Sequence, residues 1–523
     1  MNDTLKYIHN AFLKFQKRSE RTSDAILYKT FVDTAPLFDL LSSRNNQVIY
    51  GRRGTGKTHA LKYLAQRVQG SDGFPIYIDL RSIGSNGAFY SDVSKPLSER
   101  SLRLIIDVLK VILDELYGLA VEQVSDALHP EAITSRVDDF TAAISSVKIV
   151  GQYRVQERKG EQIERATGAT AELKIYQGDS GISGGAMSSA SNSSIRESQT
   201  EIVGESRIHI EFGRIQVSLR SLLAVLGNPK IWVLIDEWSE IPIELQPYLA
   251  DLLRRTLLPI DNFVVKIAAI EHRTRFSIPK ADREYLGLEL GADISADLNL
   301  DDFLVFENDQ NKSVSFFRNL LFRHYQATAA GAEIANSREL VRAVFTQSPV
   351  FEEFVRAVEG VPRDALNLAT KTATRSFGKP VAMNDVRIAA RDWYQNDKAS
   401  IILADEKLGN ILRFIVDTVI GERRARAFLF PSHVRNVYIE SLFDARLLHI
   451  LKKNISSHDE PGERFDVFKI DYGCYVDLIN TQKAPQGLFE VNEQAFVEVP
   501  VDDYRSIRRA ILRPEDLQRA LDG

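Results

Sequence analysis

Along the first half of the chain, short apolar runs of strand character alternate with longer stripes of helical period. The run NNQVIY, residues 45–50, ends in β-branched and aromatic residues and predicts a buried strand. KTHALKYLAQRV, residues 57–68, follows it with Ala60, Leu61, Leu64 and Val68 on one helical face. Further strands are expected in GFPIYIDL, 73–80, in Ile231 to Ile235, and in NFVVKIAA, 262–269. Between them lie a helix in RIQVSLRSLLAVLGNP, 214–229, and a leucine-rich helix over 243–258. Helical crossovers of this kind join parallel neighbours, so the fold class is α/β with a parallel sheet and flanking helices. Residues 307–400 read as helices throughout.

The N-terminal stretch MNDTLKYIHNAFLKF reads as an amphipathic helix without the continuous apolar core of a signal peptide. The greasiest segment, LRLIIDVLKVILDELYGLA, 102–120, carries Arg103, Asp107, Lys110 and Asp114 at helical spacing on one face. It is therefore expected to be a soluble amphipathic helix, and no membrane partner is expected. A single cysteine, Cys474, excludes an intramolecular disulfide and a multi-cysteine zinc site, and fits a reducing, cytoplasmic setting. A net charge of −5 gives no global sign of nucleic-acid binding, so any such surface must be a local patch. At 523 residues the chain has length for two to four domains.

Between the first strand and its helix stands GRRGTGKT, residues 51–58, with the spacing G-x-x-x-x-G-K-[ST]. Closely spaced glycines let backbone N–H groups turn inward around phosphate oxygens, and the lysine reaches the β and γ phosphates. Gly51, Arg52, Arg53, Gly54, Thr55, Gly56, Lys57, Thr58 and His59 are the candidate ATP-binding residues. Thr58 would place its hydroxyl on Mg2+. The apolar run 231–235 ends in Asp236 and Glu237, an acidic pair where a phosphate site needs one. Asp236 would serve the metal and Glu237 would orient the attacking water as general base. His272, at the end of the fourth strand beside Asp236, is a candidate to sense the γ-phosphate, or else a structural histidine.

Further on, Gly360, Val361, Pro362 and Arg363 break one helix and begin the next. Here the chain resembles the AAA+ ATPases, specifically the group related to the origin-recognition initiators. The resemblance covers roughly residues 25–520 and implies that Arg363 is the lid arginine that meets the γ-phosphate. It implies an N-terminal helical segment over 1–44, a nucleotide domain over 45–306, a helical lid over 307–402 and a winged-helix-like domain over 403–523. ADLNLDDFLVF, 296–306, resembles the last sheet strand and its exit to the lid, and SSHDEPGER, 456–464, resembles a wing. It also implies a homo-oligomer with an arginine acting in trans: Arg273 and Arg275 are candidates, with Arg254 and Arg255 as alternates.

The chain departs from compact relatives in the distance between its motifs, since Thr58 and Asp236 lie 178 positions apart. An insertion is expected over about 83–212, with β-like alternation near 145–155, 170–177 and 206–213 around a Gly/Ser-rich stretch. It is either a tolerated surface loop or a projecting hairpin that grips a ligand or neighbouring subunit.

Two functions follow. One is an ATP-hydrolysing switch that acts on DNA through its C-terminal domain. The other is a signalling ATPase with a protein effector as partner, as in bacterial antiviral defence, which the resemblance suggests. Residues 405–523 hold 17 basic and 20 acidic side chains, which does not favour DNA; the clusters GERRARAF, LKKN and YRSIRRAILR form a basic stripe or cover apolar surface. A scaffold without turnover is opposed by the intact acidic pair.

Overall fold

The computed structural model describes residues 2–34, 36–70, 73–83, 87–124, 130–157, 169–173, 200–203, 206–280, 284–306, 308–328, 334–423, 425–456, 462–479 and 511–522. Five parallel strands form the central sheet: β1 (Gln47–Tyr50), β2 (Gly73–Asp79), β7 (Lys230–Asp236), β8 (Phe263–Ala269) and β11 (Ser295–Asn299). Four more, β3 (Lys148–Glu157), β4 (Ala169–Leu173), β5 (Thr200–Val203) and β6 (Ser206–His209), pair antiparallel around β3. The central order is β11-β1-β8-β7-β2, so β8 lies between the phosphate-loop strand and the acidic strand. Each expected strand is present, and 296–299 forms the edge beside β1.

The strands read as near-continuous apolar runs because the sheet is covered on both faces. Val48, Ile76, Ile78, Ile231, Val233, Val265 and Ile267 face one core, which the helices Leu97–Val124, Pro130–Ser145, Phe212–Val225 and Gln246–Thr256 cover. Ile49, Trp232, Leu234, Val264 and Ala268 face the other, under the helices Lys57–Gln69 and Leu37–Leu41. Alternate residues of one strand thus supply opposite layers. Lys266 falls on the second face; it stays buried by donating to the Gln47 side chain at 2.9 Å and lying over the Trp232 ring.

Within 83–212 the structure distinguishes two parts. The helices Leu97–Val124 and Pro130–Ser145 share the main core of the sheet, whereas β3 to β6 form their own antiparallel sheet. The polar stripe of the first helix is partly internal, since Asp107 is buried and accepts from Tyr90 at 2.6 Å and Arg103 at 3.1 Å. The Gly/Ser-rich stretch, 178–198, lies outside the described residues.

The helices Gln310–Thr328, Ser337–Val344, Ser348–Ala357, Pro362–Arg375 and Met383–Trp393 make the helical layer after the sheet. The N-terminal helix Asn2–Leu13 packs into this layer, with Leu5, Ile8 and Phe12 in its core. Thr370 donates to the Phe12 carbonyl at 3.1 Å, and the Gly378 N–H donates to His9 Nδ1 at 3.1 Å. After it come β12 (Ala427–Pro431), β13 (Leu448–Ser456) and β14 (Arg464–Ile470), antiparallel in the order β12-β14-β13. Helix Val437–Asp444 lies between β12 and β13 in sequence. Two other strands, β9 (Ser277–Pro279) and β10 (Tyr285–Gly287), form a small hairpin.

Candidate nucleotide-binding site

The site forms at the C-terminal ends of the parallel strands, where each chain reversal leaves a loop on one edge of the sheet. The loop after β1 opens with Gly51 and closes with Gly56, which holds φ 99 immediately before helix Lys57–Gln69. Gly54 holds φ 95, and a Cβ there would stand 3.1 Å from both the Arg363 Cβ and a Val361 methyl. Glycine is needed at 54 both for its backbone and because Val361 and Arg363 press on it. Lys57 is buried and its Nζ donates to the Gly51 carbonyl at 2.6 Å and the Arg52 carbonyl at 3.1 Å. Burial lowers its affinity for the proton, opposed by Glu237, Asp236 and Asp301.

Asp236 is fully buried at the end of β7; its two oxygens accept from the Tyr77 hydroxyl at 2.7 Å and the Glu237 N–H at 2.8 Å. Tyr77 stands directly across the β2–β7 ladder from Leu234 and is held protonated by burial and by Asp236. Glu237 adopts a left-handed backbone, φ 55, which for a residue with a side chain is a strained conformation. Burial and then Asp236 raise its carboxyl above the ordinary range.

The helical layer contributes a second turn, just ahead of helix Pro362–Arg375. Glu359 and Gly360 both carry positive φ, 50 and 73, and a Cβ on Gly360 would meet the Leu304 carbonyl oxygen at 2.8 Å. Only glycine fits that close approach. Pro362 then starts its helix, and the Arg363 N–H donates to the Gly54 carbonyl at 3.2 Å. A cavity of about 370 Å3 opens between these parts, lined by Gly54, Gly56, Lys57, Thr58, His59, Glu237 and Arg363.

Several residues that pattern reading missed line the same cavity: Arg18, Ser19 and Glu20 from the N-terminal turn, Arg81 after β2, and Glu240. Arg81 forks onto Asp79, with Nε and one terminal nitrogen donating at 3.0 and 2.7 Å. Its other terminal nitrogen reaches Glu20 at 3.2 Å and Glu237 at 3.4 Å. The available signal was topological: Arg81 follows the strand that pairs with β7, so it emerges beside Glu237. The far end is lined by Leu27, Thr30, Leu320, His324 and Leu366. Burial and then His59 push His324 down to about 3, which leaves a neutral, largely apolar wall.

Other expected residues, within the cavity wall or away from it, give their side chains to protein partners. Arg52 turns its side chain away from the cavity: Nε meets Asp301 at 2.8 Å, and its terminal nitrogens reach the Leu448 carbonyl at 3.0 Å and His449 Nδ1 at 2.8 Å. Arg53 is exposed and pairs with Glu240 at 2.6 Å. Thr55 donates to the Arg52 carbonyl at 2.9 Å, closing the loop. His59 Nε2 meets the Leu27 carbonyl at 2.7 Å and its ring stands edge-on to Phe31, so it ties the helix to its neighbour. His272 meets Asp444 at 2.6 Å, and Arg273 pairs with the same carboxylate. Burial raises the Asp444 carboxyl, but His272 and Arg273 together reverse this and hold it below the usual range. Arg254 and Arg255 pair with Asp251 at 2.8 and 2.9 Å. Arg275 is exposed, and its Nε donates to the Ser277 carbonyl at 3.4 Å.

The donor set suits a phosphate chain with a hard cation. Lys57 and Arg363 supply positive charge, and Thr58, in the first turn of helix Lys57–Gln69, and Asp236, at the end of β7, are the residues that would serve Mg2+. Among the described residues no group of three or more His, Cys, Asp or Glu could hold a metal. Magnesium brought by phosphate oxygens does not need such a cage.

The five-stranded parallel sheet and its strand order bring the GRRGTGKT loop, Glu237 and Arg363 around one cavity, an arrangement suited to a nucleotide's phosphate chain. The family model described as ORC-CDC6-like matches residues 15–89, from the N-terminal turn through the phosphate loop to just past Arg81. Among solved structures, the chain is similar to the Orc1 protein of Aeropyrum pernix in complex with DNA. That similarity is at 12% identity and a TM-score of 0.31, over 85% of this chain and 93% of the other. No curated protein matches the chain. No described helix is long and apolar enough to cross a membrane.

Proposed function

We propose that the protein is an ATP-hydrolysing AAA+ switch whose lid reads the terminal phosphate. The observation that carries this reading is the convergence of Lys57, Thr58, Glu237 and Arg363, from three separate parts of the chain, on one cavity of about 370 Å3. Lys57 would leave the Gly51 and Arg52 carbonyls to meet the β and γ phosphates, and Thr58 with Asp236 would hold Mg2+. When bound, Mg2+ neutralises charge developing on the phosphoryl oxygens. The Glu237 carboxylate, made a stronger base by burial and by Asp236, would accept a proton from the attacking water. Arg363 adds positive charge from the lid side. The apolar wall from Leu27 to Leu366 would take the base.

The resemblance to the origin-recognition initiators supports DNA as the partner; the β12 to β14 domain, which lies outside the matched residues 15–89, would reach it as a winged-helix module. A subunit interface in a homo-oligomer would use Arg275, whose side chain is exposed where Arg254, Arg255 and Arg273 are paired. A protein effector is the second reading. It is favoured by the internal use of expected DNA-contacting cations: Arg423 caps the Ile511 carbonyl, Arg426 bonds the Tyr475 hydroxyl at 3.1 Å, and Lys453 pairs with Glu271.

Steady-state ATP hydrolysis by the full chain tests the enzyme. DNA retention across a salt series tests the partner, because each phosphate contact formed releases counterions and adds to the salt slope. A slope near zero moves the assignment to the protein effector, and absence of both nucleotide binding and turnover removes the switch.

A further inference from the structure

Glu20 is an acidic side chain in the wall of the candidate phosphate cavity, and two arginines of that wall, Arg81 and Arg363, hold it there. It sits in the short 3-10 helix Ser19–Arg21, ahead of the sheet. One oxygen, Oε1, is met from two directions: by Arg81 at 3.2 Å and by Arg363 at 4.0 Å. Those arginines come from remote parts of the chain, one beside Glu237 and the other from the start of helix Pro362–Arg375. The carboxylate side chain is 27% exposed, so the arrangement is neither a free surface pair nor a sealed core pair. Burial raises Glu20, but its own turn's N–H, Arg81 and Arg363 outweigh that and keep it ionised.

We propose that the Glu20 carboxylate competes with the terminal phosphate of a nucleoside triphosphate for Arg363 and Arg81, and so sets the discrimination between triphosphate and diphosphate. This rests on the nucleotide-switch reading above. The physical reason is charge. A phosphate that reaches Arg363 must take that guanidinium from Glu20 and also tolerate a carboxylate on the same side of the cavity. The γ-phosphate reaches that region. The diphosphate stops short of it and leaves the Glu20 contacts in place. The parent protein therefore gains less from Arg363 on binding ATP than it would without Glu20, and ATP affinity is held down toward that of ADP.

The test is a titration of the full-length parent, Glu20→Gln and Glu20→Ala with a fluorescent non-hydrolysable ATP analogue and with fluorescent ADP. Circular dichroism confirms the fold of each variant. Both variants should bind the ATP analogue about tenfold more tightly and ADP within about twofold of the parent. Adding Arg363→Ala separates competition from general charge relief: that change should weaken ATP-analogue binding little in the parent and about tenfold in the Glu20→Gln background. An unchanged ratio of the two affinities, an equal gain for ADP, or the same Arg363→Ala effect in both backgrounds overturns the proposal while leaving the switch reading intact. A parent that binds neither nucleotide overturns the switch reading itself.

Discussion

The backbone N–H of Arg363 donates to the carbonyl of Gly54 at 3.2 Å, so the first turn of the lid helix is hydrogen-bonded to the phosphate loop itself. Lid position and loop shape are therefore one mechanical unit. The Arg363 side chain enters the cavity from that anchored start, which makes its reach a property of the backbone contact and not of a flexible loop. Arg363→Ala should lower turnover by about ten- to a thousandfold while changing ATP affinity less than about fivefold. Single-turnover kinetics beside equilibrium binding separates the two, and unchanged turnover removes the lid arginine from the mechanism.

Lys57→Ala should weaken ATP binding at least about a hundredfold, because charge-assisted contacts to two phosphates go with the ammonium. Isothermal titration reads the loss directly. Since Lys57 Nζ bonds only main-chain carbonyls of its own loop, the variant should keep the parent's melting temperature without nucleotide.

Glu237→Gln should bind ATP with near-parent affinity and hydrolyse it about a hundred- to ten-thousandfold more slowly, since the amide holds water but takes no proton. Parent-like turnover in a phosphate-release assay would place the base elsewhere.

Asp301→Ala should destabilise the fold by about 3 kcal/mol, because it strands the buried Arg52 guanidinium that bridges the phosphate loop to the β13 domain. The readout is the denaturation midpoint. Asp301→Asn should cost less, as the amide oxygen still accepts from the Arg52 N–H, which donates to Asp301 at 2.8 Å.

Acid stability should depend on His449. Arg52 donates to its Nδ1, which places the ring proton on Nε2 toward Asp471 at 3.3 Å and keeps the imidazole neutral. Burial and then Arg52 push it down to about 3. The sign follows from linkage: the folded pKa lies below the unfolded value of about 6.5, so the unfolded chain takes up the proton first. Stability is full above that value and falls by about 1.4 kcal/mol per pH unit toward pH 3 from this group. His449→Gln should flatten the decline of melting temperature between pH 6.5 and 4 relative to its own neutral value. An unaltered slope would show that His449 does not set it.

Local chemistry determined much of this protein without help from the fold. The glycine spacing of 51–58, the apolar run ending in Asp236 and Glu237, and the Pro362 helix start each depend on neighbours in sequence. Each also took the backbone form that such neighbours impose. The parallel sheet was legible for the same reason, since alternation and helical crossovers are read within one segment at a time. Tertiary structure alone decided which side chains complete the site. Glu20 and Arg81 are 61 positions apart, in stretches with no motif, yet share an oxygen contact across the cavity. Arg52 stands inside the phosphate-loop motif but spends its charge on Asp301 and His449, and His272 and Arg273 spend theirs on Asp444. A sequence pattern records what a residue can donate or accept. Which partner receives it depends on distances that exist only once remote segments have packed, because charge and hydrogen-bond energies fall off within a few ångströms.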